Sequence, residues 1–187
     1  MENTKIVKYY ILRVMTLKQL LQPDLILEST ILDLTPDIVK EYQLRGLILD
    51  VDETLVPLNV SQASAELRYW VEQMRTFVSL WLVSNNLSES RIRGIAEFLD
   101  LPYYLGAAKP SRRKIREAIL SMGLPVEQVG MVGDRLFTDV LAGNRLGMFT
   151  ILLNLLSNLV LNSMLILFVT LKFWITEILG APISSRK

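Results

Sequence analysis

Short apolar runs alternate with segments of helical period between residues 46 and 153, and that alternation leaves few folds open. The runs GLILDVD (46–52), SLWLVSN (79–85), YYLGAA (103–108), VGMVGD (129–134) and MFTILL (148–153) read as strands. Near-continuous apolar character belongs to strands covered on both faces, as in a parallel sheet. Between the runs, apolar residues recur at i, i+3, i+4 and i+7: Leu67, Trp70, Val71, Met74, then Ile92, Ile95, Ala96, Leu99, then Ile115, Ala118, Ile119, Met122. Each set forms one core-facing helical stripe, and its aromatic and methionine members read as core. Ser88 and Ser111 stand where helix N-caps fall, and Gly123 and Gly147 where left-handed C-caps are common. The expected fold is α/β, a doubly wound Rossmann-like parallel sheet.

At 187 residues the chain suits one domain with a full core rather than two. The expected organisation is an N-terminal helical segment over 1–45, a core over 46–153 and a hydrophobic tail over 154–187. A formal net charge of +1 argues against bulk electrostatic attraction to nucleic acid, so no nucleic-acid partner is expected. The sequence has no cysteine and no histidine, which excludes disulfides, thiolate nucleophiles, imidazole bases and the usual zinc sites. Catalysis is left to carboxylates, hydroxyls, Lys and Arg. Nothing reads as a cleavable signal peptide, so the expected location is cytoplasmic, with membrane association left open by the two ends.

In open α/β sheets, residues just past the strand C-termini converge on one crevice. Strand one ends in Asp50-Val51-Asp52-Glu53-Thr54 and strand two in Ser84-Asn85-Asn86. Strand three leads to Lys109-Pro110, and strand four ends in Gly133-Asp134-Arg135, with Asp139 five residues after Asp134. Period-two alternation puts Asp50 and Asp52 on the same side. Three aspartates brought together without a cation leave uncompensated buried charge, which implies a hard divalent ion, with Mg²⁺ the natural choice for an all-oxygen site.

The set DVDET, VSNN, AKP and GDRLFTD resembles the four motifs of haloacid dehalogenase superfamily phosphatases, in the same order. The resemblance implies that Asp50 attacks phosphorus to form an aspartyl-phosphate. It implies that Asp52 protonates the leaving alcohol, then activates water, and gives its backbone carbonyl to the metal. Ser84, helped by the Asn85 amide, holds phosphoryl oxygens in this picture, with Thr54 also at the substrate. Lys109 neutralises charge around the nucleophile, Asp134 completes the Mg²⁺ shell with Asp50 and Asp52, and Asp139 is at one remove or water-mediated. Glu53 departs from the pattern, where Asn or Gly is commoner; it is expected to be a loop residue outside the chemistry.

Only 29 residues separate Thr54 from Ser84 and 24 separate Ser84 from Lys109, so each interval is filled by a helix and a strand. No cap domain fits, and an open mouth suits a large or interfacial phosphate. LLQPDLILESTILDLTPD, KPSRRKIREAI and GDRLFTDVLAGNRLGMFTILL are similar to the IIIA subgroup of YqeG-like proteins and phosphatidylglycerophosphate phosphatases, especially the cyanobacterial ones. That resemblance implies dephosphorylation of phosphatidylglycerophosphate to phosphatidylglycerol, with an anionic phospholipid as partner. The alternatives are a capless phosphatase acting on phosphoprotein, nucleic-acid ends or a soluble phosphomonoester, and a non-catalytic scaffold, against which the intact aspartates argue.

Lys109, Arg112, Arg113, Lys114 and Arg116 put five basic residues in eight positions beside the expected mouth, with Arg135 and Arg145 nearby. They read either as an attraction for anionic headgroups or as a solvated helix face. KIVKYYILRVMTLKQLL near the N-terminus reads as a membrane-surface helix, a packed helix or in part a start-site artefact. From Leu146 to Leu171 no charged residue occurs; the run after strand five fits surface insertion, burial, a membrane span interrupted by Asn and Ser, or a local sequence error.

Overall fold

The computed structural model describes residues 17–153. Its sheet has six parallel strands in the order β1-β6-β5-β2-β3-β4: β1 Leu25–Leu27, β2 Gly46–Leu49, β3 Ser79–Val83, β4 Tyr103–Tyr104, β5 Val129–Gly133 and β6 Phe149–Leu153. The crossovers contain α2 (Pro36–Glu41), α3 (Ala65–Met74), α4 (Glu89–Leu99), α5 (Arg113–Met122), and a π-helical turn, Leu136–Val140, running into α6 (Leu141–Asn144). A short α1 covers Leu17–Leu20. From β2 the chain moves outward through β3 to β4, then returns to the opposite side of β2 at β5. The strand order therefore reverses between β2 and β5, and a crevice opens beyond their C-termini.

Alternation along β2 divides the core. Leu47 and Leu49 face a cluster containing Leu67, Trp70, Val71 and Met74 of α3 and Ile92, Ile95, Ala96 and Leu99 of α4. Ile48 faces the other side, with Ile115, Ala118 and Ile119 of α5 and Ala142 of α6. All the stripe residues named from the sequence are buried except Met122, which is half-buried. Burying each large aliphatic side chain contributes about 1.5–3 kcal/mol, so the two faces together hold β2 rigidly at the sheet centre.

Residues 17–45 are not only helical. Leu25–Leu27 adds an edge strand to β6, a three-residue stretch too short for periodicity to reveal. Its place is set by polar contacts: Asp24 Oδ2 accepts from the Thr150 N–H (2.8 Å) and hydroxyl (2.9 Å). The Asn144 amide donates to the Leu20 and Gln22 carbonyls at 2.9 Å each. Gly123 and Gly147 take left-handed backbone as expected, with φ of 65° and 81°. Ser88 is the N-cap of α4, but the N-cap of α5 is Arg112. Ser111 instead donates its N–H to the Ala108 carbonyl in the preceding turn. Among the described residues no helix is long and apolar enough to cross a membrane. The readings of the N-terminal basic-apolar segment and of the tail after residue 153 fall almost wholly outside the described residues.

Candidate active site

β2 ends at Leu49, and the Asp50 N–H still bonds across to the Val132 carbonyl at 2.9 Å, so Asp50 leaves a fully tied strand. The chain then turns sharply, with the Leu55 and Val56 N–H groups both on the Val51 carbonyl. Asp134 occupies the matching place after β5. Asp139 lies in the π turn that follows, and its carboxylate packs over Gly133, where a Cβ would come within 2.4 Å of Asp139 Cγ. Only a residue without a side chain permits that approach.

Three carboxylates meet here. Ligand oxygens of Asp50, Asp134 and Asp139 lie within 4.8 Å of one another, and all three residues are buried. Lys109 enters from the loop after β4, its ammonium 2.6 Å from Asp50 Oδ1, 2.8 Å from Asp139 Oδ1 and 2.9 Å from the Val83 carbonyl. Burial pushes Asp50 up to about 7, a rise that Lys109 opposes and that the charges of Asp139 and Asp134 reinforce. Burial, then Asp139, raises Asp134 to about 6. Burial pulls the Lys109 pKa down, but Asp139 and Asp50 together outweigh it and leave that pKa raised.

One ammonium does not balance three carboxylates. Asp139 Oδ1 has no aligned hydrogen bond although Lys109 stands at ion-pair distance, so a buried lone pair remains to be used. An all-oxygen site with three buried carboxylates against one ammonium fits a hard divalent cation. The expected metal set was Asp50, Asp52 and Asp134, with Asp139 at one remove. Asp52 was expected there through its main-chain carbonyl alone, and the side chains gathered in the structure are Asp50, Asp134 and Asp139.

The Asp52 side chain is held elsewhere. It forms a tight ion pair with Arg91 of α4 through Oδ1, while Oδ2 accepts from Asn86 Nδ2 at 3.1 Å and lies 3.5 Å from the Ser84 hydroxyl. Ser84 is fully buried and also accepts the Asn86 N–H at 2.9 Å. Both polar atoms of the Asn85 side chain are engaged by the Lys109 backbone: its Oδ1 accepts the Lys109 N–H at 2.6 Å and its Nδ2 donates to the Lys109 carbonyl at 3.1 Å. That two-point clasp fixes the lysine backbone. The expectation that an Asn85 amide helps hold phosphoryl oxygens therefore does not extend to its side chain. Thr54 is buried with its hydroxyl 3.4 Å from Asp134 Oδ1. Glu53 is exposed at φ 63°, which explains why Gly or Asn suits this position, and its carboxylate accepts the Leu58 N–H at 2.7 Å.

Arg91 and Asn86 escaped assignment from sequence alone. A charge count was the available signal: Asp52 had no counter-ion, and the first turns of α4 place Arg91 beside the same crevice.

A HAD-hydrolase-like family model matches residues 106–154, the stretch carrying Lys109, Asp134 and Asp139, and 137 residues align at 37% identity with a bacterial phosphatase. The chain belongs to the haloacid dehalogenase (HAD)-like phosphatase family, whose members are phosphomonoester hydrolases that generally use a divalent metal. The aligned relative is the protein named "Probable phosphatase YqeG" of Bacillus subtilis (strain 168), with 73% of this chain and 78% of that protein covered. Solved structures similar to the chain include the cobalt-bound deoxy-D-mannose-octulosonate 8-phosphate phosphatase YrbI of Haemophilus influenzae, at 18% identity, 61% and 70% coverage and a TM-score of 0.47. Another is an uncharacterized protein from Listeria monocytogenes serotype 4b, at 18% identity, 57% and 76% coverage and a TM-score of 0.47.

Proposed function

We propose that the chain is a Mg²⁺-dependent phosphatase that removes the terminal phosphate of phosphatidylglycerophosphate through an aspartyl-phosphate on Asp50. The observation that carries the lipid reading is the uncapped mouth. Only one helix lies in each of the β2–β3 and β3–β4 crossovers, and nothing inserted there covers the aspartates. Beside Thr54, a cavity of about 270 Å³ is lined by Ile31, Leu32, Leu55, Val56 and Pro57 among others. It shares Leu32 with a cavity of about 610 Å³ that runs along Leu34, Pro36, Tyr69 and Trp70. Apolar cavity walls near the phosphate site, interspersed with Thr30, Glu53 and Ser64, suit a substrate with acyl chains better than a free sugar phosphate.

In this mechanism an Asp50 oxygen bonds phosphorus as the ester P–O bond breaks, and the departing oxygen takes its electron pair and a proton from Asp52. Asp52 then removes a proton from the water that cleaves the aspartyl-phosphate. Lys109, fixed by Asn85, keeps Asp50 oriented and offsets charge on the transferring group, and Ser84 holds a phosphoryl oxygen. Asp50, Asp134 and Asp139, with the Asp52 carbonyl, would hold the Mg²⁺, which supplies neutralisation of phosphoryl charge.

The test is the ratio of kcat/KM for phosphatidylglycerophosphate in anionic vesicles to that for glycerol 3-phosphate. The reading expects a large ratio. Changing Arg112, Arg113 and Arg116 together to Gln should lower it, mainly at low salt, since each basic residue near an anionic surface contributes about 1 kcal/mol. A ratio near one, unchanged in the triple variant, removes the lipid substrate and leaves a capless phosphatase for soluble or macromolecular esters.

A further inference from the structure

The guanidinium of Arg91 serves three acceptors, all within residues 52–60, from its own place in α4. It pairs with Asp52 Oδ1, its Nη2 donates to the Pro57 carbonyl at 3.0 Å and its Nε to the Val60 carbonyl at 3.2 Å. The Arg91 side chain is 12% exposed and that of Asp52 10%, so the pair is largely shielded from water. The second Asp52 oxygen is tied to Asn86, whose own Oδ1 accepts the N–H of Ser88, the N-cap of α4. Both oxygens are thus fixed from α4 and its entry, one of them by a residue that also grips segment 57–60. The remaining aspartates of the site are held from β5, the π turn and Lys109.

From this geometry we propose that Arg91 is the positioning residue for Asp52, fixing the direction of its carboxyl group and making that placement depend on the docking of segment 57–60. The inference rests on the reading of Asp52 as proton donor to the leaving alcohol. A carboxyl group free to rotate past its acceptor loses most of its value as an acid, because proton transfer requires hydrogen-bond reach at the moment the bond breaks. A planar guanidinium with several donors holds a carboxylate and two carbonyls at once; an ammonium is a point charge and does not.

Leaving-group dependence separates positioning from bulk structure. An alkyl phosphate needs a proton on the departing oxygen, whereas p-nitrophenyl phosphate expels a stable phenolate without one. General acid catalysis contributes about 10²–10⁴-fold, so Arg91→Gln should lower kcat/KM for glycerol 3-phosphate, which reports the steps up to loss of the alcohol and not the later water step, by about 30–100-fold. Its kcat/KM for p-nitrophenyl phosphate should fall less than about 3-fold, with the Mg²⁺ requirement little changed. Arg91→Lys should fall between, and Asp52→Asn should show the same selectivity with a larger loss. Equal losses on both substrates in Arg91→Gln and Arg91→Lys, with thermal melts matched to the parent, overturn the positioning role, as does no loss on either. If Asp52→Asn is selective for the alkyl ester and neither Arg91 variant is, only this inference fails. If Asp52→Asn lowers kcat/KM equally for both substrates, the proton-donor reading fails and this inference with it.

Discussion

Removing divalent metal while raising the pH should destabilise this protein, and restoring the metal should reverse the trend. The oxygens of Asp50, Asp134 and Asp139 lie within 4.8 Å of one another. At that spacing and an effective dielectric of about 20, each ionised pair repels by about 3 kcal/mol. Lys109 offsets part of this, and what remains, added to burial, raises Asp50 from its ordinary 3.8 to about 7 and Asp134 to about 6. Both folded values exceed the unfolded ones, so the folded state holds more protons between pH 3.8 and 7. Stability from this source is therefore full below pH 3.8 and is lost as pH rises through 6 to 7. The Asp50 rise alone corresponds to about 4 kcal/mol, or on the order of 10 °C in Tm for a domain of this size. Thermal melts at about pH 5 and about pH 8, in EDTA and in excess Mg²⁺, measure it. In EDTA the Tm should be lower at the higher pH; Mg²⁺ should raise Tm far more there than at the lower pH. Asp50→Asn should flatten the EDTA trend. A Tm in EDTA that stays level or climbs with pH, or a Mg²⁺ shift equal at both, would falsify the electrostatic account.

Asp50→Asn should abolish turnover with matched circular dichroism, and the parent should form a hydroxylamine-labile phosphoenzyme; more than a few percent residual activity contradicts the nucleophile assignment. Gly133→Ala sets a Cβ 2.4 Å from Asp139 Cγ, so the carboxylate must retreat. Calorimetric Mg²⁺ affinity should then fall by about 10–100-fold, and an unchanged affinity would take Asp139 out of the metal set. Asn85→Ala leaves the Lys109 N–H and C=O without their clasp and should cost about 1–3 kcal/mol in urea titrations while lowering kcat more than it alters KM. A shift confined to KM would point instead to direct substrate contact.

Much of the architecture was visible in the sequence because burial on both sheet faces writes continuous apolar runs, and helices packed on them write i, i+3, i+4 stripes. Leu47, Ile48 and Leu49, for example, could scarcely be anything but a central strand. β1 was not visible, since three residues carry no period and its place depends on Asp24 meeting Thr150 across the fold. In the site, Asp50 and Asp134 directly follow β2 and β5, while Lys109 and Asp139 come in from the loop after β4 and the π turn after β5. Side-chain direction was the part that sequence did not specify. A turn of the chain after Asp50 brings the Asp52 side chain to Arg91, and the Asn85 side-chain amide goes to the Lys109 backbone. Such choices are decided by partners distant along the chain.

The pairing of β1 with β6 also governs when this domain can finish folding during synthesis. Asp24 and Thr150 are 126 positions apart, and the edge strand has no partner until β6 has left the ribosome. At about 5–20 residues per second, that is a wait of roughly 6–25 s, during which residues near the start of the domain must stay unpaired. Among the described residues β6 is the last strand to emerge, and its arrival gives β1 a hydrogen-bonded neighbour. A nascent chain stalled before Thr150 should therefore offer Leu25–Leu27 to chaperones, and one that has passed Leu153 should not.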